Sequence, residues 1–189
     1  MHRIMGSRLL DIDRLDAVRR AGASPRSALD RIAEAIRTSL AVPVALVSLV
    51  DANYQYLTGA AGLSEPLQSQ RETPMSHSFC RHVVVEGGPL AVENTRRDAR
   101  TRGNPAVDDF SVAAYAGWPL LTGDGLTLGS LCAMDTVPRE WTWRDLLCLE
   151  VMAGTTMEVI EATTSIGHRS TRSRPHADPA RPAEMHAQP

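Results

Sequence analysis

The chain has 189 residues, 43% hydrophobic and 22% charged, enough for one core of ordinary size with little room for a second domain. A net charge of -2 gives no reason to expect a nucleic-acid surface or an anionic membrane as partner. The three cysteines sit in apolar sequence, no stretch approaches a membrane span, and the N-terminus lacks a signal-peptide core, so a cytoplasmic protein with reduced thiols is expected.

Residues 1–10 offer little to pack and are expected to be flexible, with the folded domain covering 11–163. Residues 11–20 predict a short helix with Leu15 and Val18 inward, stopped at Gly22. Ser24-Pro25 is a helix start, a capping side chain followed by proline. The helix that follows carries Leu29, Ile32, Ala33, Ile36 and Leu40 at steps of three and four, with Asp30, Arg31, Glu34 and Arg37 toward water. Pro43 ends it. The β-branched and leucine run 44–50 predicts a central strand, which turns at 51–53 and returns over 54–60 as a hairpin.

Residues 62–73 are polar and irregular and predict a loop. Ser76 or Ser78 can cap a short helix through Phe79, Val83 and Val84 to Glu86, broken by Gly87-Gly88. A short strand over 89–92 leads into a charged excursion, 93–109, of the length usually reserved for functional loops. A strand over 111–121 and the turn Thr122-Gly123-Asp124-Gly125 lead into 126–135. That stretch has no charge before Asp135, so it predicts a strand covered on both faces. Strict alternation puts Leu126, Leu128, Ser130, Cys132 and Met134 on one face and Thr127, Gly129, Leu131 and Ala133 on the other. Thr142 and Asp145 form a near capping box for a last helix with the stripe Leu146, Leu149, Ala153, Met157 and Ile160. Residues 164–189, rich in Arg, Pro, Ser and Ala, predict a disordered tail.

The pattern is α+β: an antiparallel sheet of five to six strands, the first and last long helices on one face, and the short helix and loops forming a pocket on the other. This layout, with the strings RLDAVRR (14–20), VALVSLVD (44–51), SHSFCRH (76–82), AYAGWPL (114–120) and LGSLCAMDT (128–136), resembles the GAF domain over residues 15–162. The likeness is to the bacterial branch that accompanies histidine kinases, cyclases and phosphatases. It implies a small-molecule sensor in signal transduction, not an enzyme.

Pocket candidates are the aromatic walls Phe79, Tyr115 and Tyr56, with Cys80, His82 and Trp118. Trp118 departs from the family pattern, which usually has a small or aliphatic residue there, and it bears on pocket size. Cys80 and His82 lie about 200° apart on a helix and cannot share a metal from it. Cys80, near a helix N-terminus, suits a redox thiol, against the plain alternative of a buried small apolar side chain. Cys132 reads as core and Cys148 as structural or half exposed. The cysteine signature of GAF-type methionine sulfoxide reductases is not evident. No specific signature for haem, a bilin or a cyclic nucleotide is found, so the cofactor is unknown. The arginines at 96, 97, 100 and 102 read as a solvated loop before an anion funnel. The expected partners are an unidentified small molecule, a separate signalling output protein, and a second copy meeting at the helices 26–40 and 142–162. The rival readings are a ligand-free dimerisation or docking scaffold with Trp118 among the side chains filling the pocket, and a cysteine redox sensor centred on Cys80.

Overall fold

The computed structural model describes residues 8–171, with side chains as far as residue 163. Helix α1 (Ile12–Ala21) starts where Asp11 accepts the Arg14 N–H at 2.9 Å. Helix α2 (Arg26–Ser39) follows, with Leu29, Ile32, Ala33 and Ile36 buried. Ser24 does not cap it. Pro25 holds the cap position, so Ser24 lies one residue too early, and its buried hydroxyl meets no partner. Asp30 does not simply face water either. Its carboxylate accepts the Ala60 N–H and pairs with Arg71, both at 2.8 Å, tying α2 to the neighbouring strand.

Strands β1 (Val44–Val50) and β2 (Tyr54–Ala61) form the expected hairpin. The predicted loop after it holds one helical turn, α3 (Leu67–Gln70), and an edge strand, β3 (Glu72–Pro74). A 3-10 turn (Met75–His77) leads to α4 (Cys80–Glu86), which ends at Gly87 in left-handed geometry. Strand β4 (Leu90–Val92) precedes the excursion, which contains α5 (Ala106–Asp109). Strands β5 (Ala114–Leu121) and β6 (Thr127–Asp135) form the second hairpin. Helix α6 (Trp143–Thr171) opens on a reciprocal capping box, Thr142 N–H to Asp145 at 2.9 Å and Asp145 N–H to Thr142 at 3.2 Å. It runs past residue 163, where the tail was expected to begin; residues 172–189 of that tail lie outside the described residues.

The sheet is antiparallel, in the order β3-β2-β1-β6-β5-β4. Strand β6 pairs with β1 and β5, so it is interior, and both of its faces are covered. Helices α1, α2 and α6 cover one face through Val18, Leu29, Ile36, Leu149 and Ile160 on Leu131. Helix α4 and the excursion cover the other, through Val83, Val84, Val107 and Val112 on Leu46, Tyr115 and Cys132. Helix α2 comes so close to β2 that a Cβ on Gly59 would stand 2.6 Å from the Leu29 backbone.

Two bulges shift the side-chain alternation. Opposite Val47 and Ser48, β2 carries Thr58 as an extra residue; opposite Leu120 and Leu121, β6 carries Leu128. Leu128 therefore joins the helix-backed cluster beside Leu131 and Ala133, away from Ser130 and Cys132. This corrects the strict alternation expected of β6.

Candidate functional site

The cavity face of the sheet carries alternate residues of each strand: Leu46 and Ser48 from β1, Gln55 and Leu57 from β2, Tyr115 from β5, and Ser130, Cys132 and Met134 from β6. Between this face and the loops in front of it lies a hollow of about 380 Å³, a size suited to a small molecule. Its apolar wall includes Leu46, Leu57, Phe79, Val112 and Tyr115. Residues 62–67 border it on one side, and 106 with 109–112 on another.

Three of the six candidates meet at this hollow. Phe79 and Tyr115 pack with their rings tilted by 41° and 5.4 Å between ring centres, and Cys80 sits beside them. The other three do not line it. Trp118 lies an odd number of residues from Tyr115 on β5, so it projects into the helix-backed cluster. Tyr56 lies between Gln55 and Leu57 on β2 and borders a separate groove with Val18, Arg26 and Arg71. His82 is on a different side of α4 from Cys80, near Asp98 and Arg100, with a buried Nε2 that meets no partner.

Polar groups that were not candidates stand at the hollow or next to its lining. The Ser78 hydroxyl donates to the Gln55 side chain and accepts the Arg81 N–H at 3.1 Å, so Ser78 serves the start of α4. Thr73 lines the cavity and is 5% exposed, and its buried hydroxyl has no hydrogen-bond partner. Glu65, Asp109 and Asp135 supply carboxylates; among the described residues no arginine lines the hollow, and the chain has no lysine. Asp109 is held by His77 at 3.0 Å, and His77 by Ser76 at 2.9 Å. The excursion's arginines are engaged at least in part with carboxylates, Arg96 with Asp108 and Arg100 with Asp98.

Beneath α4 lies a buried polar knot. The Tyr115 hydroxyl meets Cys80 Sγ at 3.4 Å and Ser130 Oγ at 3.2 Å, and Cys80 Sγ is 3.8 Å from Cys132 Sγ. A Cβ on Gly117 would strike the Tyr115 hydroxyl, so glycine makes the room for it. Hydrogen bonds to sulfur, from Cys132 first, then Ser130 and Tyr115, outweigh burial and pull the Cys80 thiol down to about 6. Cys132 and Tyr115 are pushed the other way: Cys132 by its bond to Cys80 and by burial, Tyr115 by burial first. Cys132, expected as plain core, is thus a partner of Cys80. Among the described residues no cluster of His, Cys, Asp or Glu is placed to hold a metal ion, and no helix is long and apolar enough to cross a membrane.

The family model of the GAF domain matches residues 24–160. The chain belongs to the GAF domain family. Members of this family are sensing and signalling modules. This GAF chain is 34% identical over 141 residues to a cyclic di-GMP phosphodiesterase of Pseudomonas aeruginosa, a match covering 74% of this chain. It spans only 23% of that protein's length. Among solved structures it is similar to the GAF domain of an Acinetobacter phosphoenolpyruvate-protein phosphotransferase, with TM-score 0.63, 17% identity, and coverage of 82% of this chain and 98% of that one. It is also similar to the blue-light absorbing form of the PixJ GAF domain of Thermosynechococcus elongatus, with TM-score 0.64, 16% identity, and coverage of 87% and 96%. A third is the free methionine-R-sulfoxide reductase of Neisseria meningitidis, with TM-score 0.60, 18% identity, and coverage of 86% and 87%. At these identities the structures establish the fold alone.

Proposed function

We propose that this GAF domain is a non-enzymatic cytoplasmic sensor whose ligand occupies the hollow between the sheet and its cap of α4 and the excursion. The observation that carries the reading is the buried, unpartnered hydroxyl of Thr73, a residue that lines the hollow. A buried hydroxyl without a partner costs about 1–3 kcal/mol, and a ligand that supplies the partner recovers it. The apolar wall suits a molecule with an aliphatic or aromatic body. Three carboxylates line the hollow, Glu65, Asp109 beside His77 and Asp135 beside Arg139, and with no arginine or lysine among the described lining residues they favour a neutral or cationic ligand over a nucleotide.

Binding would order the cap, and the sheet would pass the change to α2 and α6, because close packing transmits strain. A second copy is proposed to meet α6 on Trp143, Leu147 and Val151, exposed residues spaced four apart. The output then lies in a separate signalling protein, or in further sequence joined to this domain, as in the much longer phosphodiesterase relative. The scaffold alternative has lost its plug, since Trp118 stands on the opposite face.

Thermal-shift measurements on the full chain test this with a panel of small amines, neutral aromatic compounds, carboxylates and mononucleotides. Stabilisation by an amine or a neutral compound, absent in a cavity-filling Ala106→Phe variant, supports the reading. No shift with any class, together with unchanged or higher stability of Ala106→Phe, would mean that the hollow binds nothing.

A further inference from the structure

We propose that Cys80 and Cys132 are a dithiol site that a peroxide entering the cavity converts to an intramolecular disulfide. The two residues are 52 positions apart in sequence, yet their sulfurs lie 3.8 Å apart. One stands at the start of α4 and the other in the interior strand β6. A disulfide needs about 2.0 Å between sulfurs, so a short approach of α4 to the sheet closes the bond.

The surroundings assign the two sulfurs different roles. Cys80 borders the hollow, so it is the sulfur that a small oxidant reaches. Cys132 is 0% exposed and does not border the hollow. The hydroxyls of Tyr115 and Ser130 bond to one another, and Tyr115 also bonds to Cys80. They can donate to a thiolate, and then to the oxygen leaving it. The depressed Cys80 thiol and the raised Cys132 thiol agree with Cys80 reacting first.

With hydrogen peroxide, the Cys80 thiolate attacks one oxygen and the O–O bond breaks. The departing hydroxide takes a proton and leaves as water, and Cys80 is left as a sulfenic acid. The Cys132 sulfur then attacks the Cys80 sulfur, the S–O bond breaks, and the Cys132 proton leaves with that oxygen as a second water. Overall, two thiols and one hydrogen peroxide give one disulfide and two waters, with two electrons passing from the sulfurs to the peroxide oxygens. The product pins α4 to β6, so oxidation would fix the cap that ligand binding is proposed to order. The disulfide itself does not depend on any ligand.

The test uses the folded full chain and hydrogen peroxide. The sample is quenched, unfolded in N-ethylmaleimide, digested and mapped by mass spectrometry. The expected product is a Cys80–Cys132 linked peptide pair that dithiothreitol releases, with Cys148, half-buried on α6, still alkylated as internal control. Cys132→Ala should leave Cys80 at the sulfenic acid, trapped by dimedone. Wild-type protein alone can overturn the proposal: recovery of both cysteines alkylated while Cys148 is oxidised, or linkage only in urea, would show an inert core pair.

Discussion

Behind the sheet, Leu29, Ile36, Leu131, Leu149 and Ile160 close on one another, each no more than 2% exposed. In front of it, the same strands carry the polar or sulfur-bearing Ser48, Tyr115, Ser130 and Cys132, and a hollow of about 380 Å³ lies beside Tyr115. The same strands build both faces, and alternation along each strand keeps the two chemistries apart. The rear is packed for stability. The front retains empty volume, two thiols and two buried hydroxyls without partners, of Thr73 and Ser48, features that cost stability unless something uses them.

That contrast sets the largest expected effect. Leu149→Ala removes a fully buried side chain from the rear and should cost about 4 kcal/mol, in the upper part of the range for such truncations. Leu46→Ala removes atoms that already face the hollow and should cost about 2 kcal/mol, at the lower end. Urea denaturation of both variants measures the difference. Equal losses would mean that the front is packed as tightly as the rear.

The two faces were not equally legible in the sequence. The rear could be read because a helix buries a continuous stripe, so Leu29, Ile32, Ala33, Ile36 and Leu40, like the stripe of α6 from Leu149 on, announce themselves by spacing. The front depends on which of two strand faces a residue takes. Tyr56 and Trp118 are aromatic, but their register sends them away from the cavity. Parity alone could have separated Trp118 from Tyr115. The bulge at Leu128 could not be read, since one extra residue leaves no compositional mark. Strand β3 is too short for periodicity and ends in proline, so the edge that brings Thr73 to the hollow was missed. The approach of Cys80 to Cys132 joins distant segments and exists only in the folded sheet.

Two substitutions on the front sharpen the contrast between polar groups that are satisfied and one that is not. Ser78→Ala removes the hydroxyl that bonds Gln55 and the Arg81 N–H, and should cost about 1–2 kcal/mol. Thr73→Val keeps the shape and removes only the unpartnered hydroxyl. It should be neutral, or stabilising by up to about 1 kcal/mol, in the absence of ligand. Thermal melts of the purified variants distinguish these outcomes. A loss with Thr73→Val comparable to that with Ser78→Ala would mean that its hydroxyl already has a partner, and the sensor reading would lose its carrying observation.

The smallest expected effect concerns pH and again separates the faces, since the rear cluster contains no histidine. His82, on the front cap, is held below its ordinary value by burial first and then by Arg81 and Arg100, with Asp98 opposing. Its folded pKa therefore lies below the unfolded value of about 6.5. Between the two values the unfolded chain binds the proton that the folded chain refuses, so stability rises with pH through that window. The contribution is complete above about pH 7 and diminishes as pH falls through about 6.5 toward the folded value. His82→Gln removes the titration while keeping a polar side chain. Urea midpoints measured from about pH 7.5 to about pH 5 should fall more steeply for the wild type than for the variant. Parallel curves would show that the imidazole takes up its proton as readily in the fold as in the open chain, and that the front cap admits water at His82.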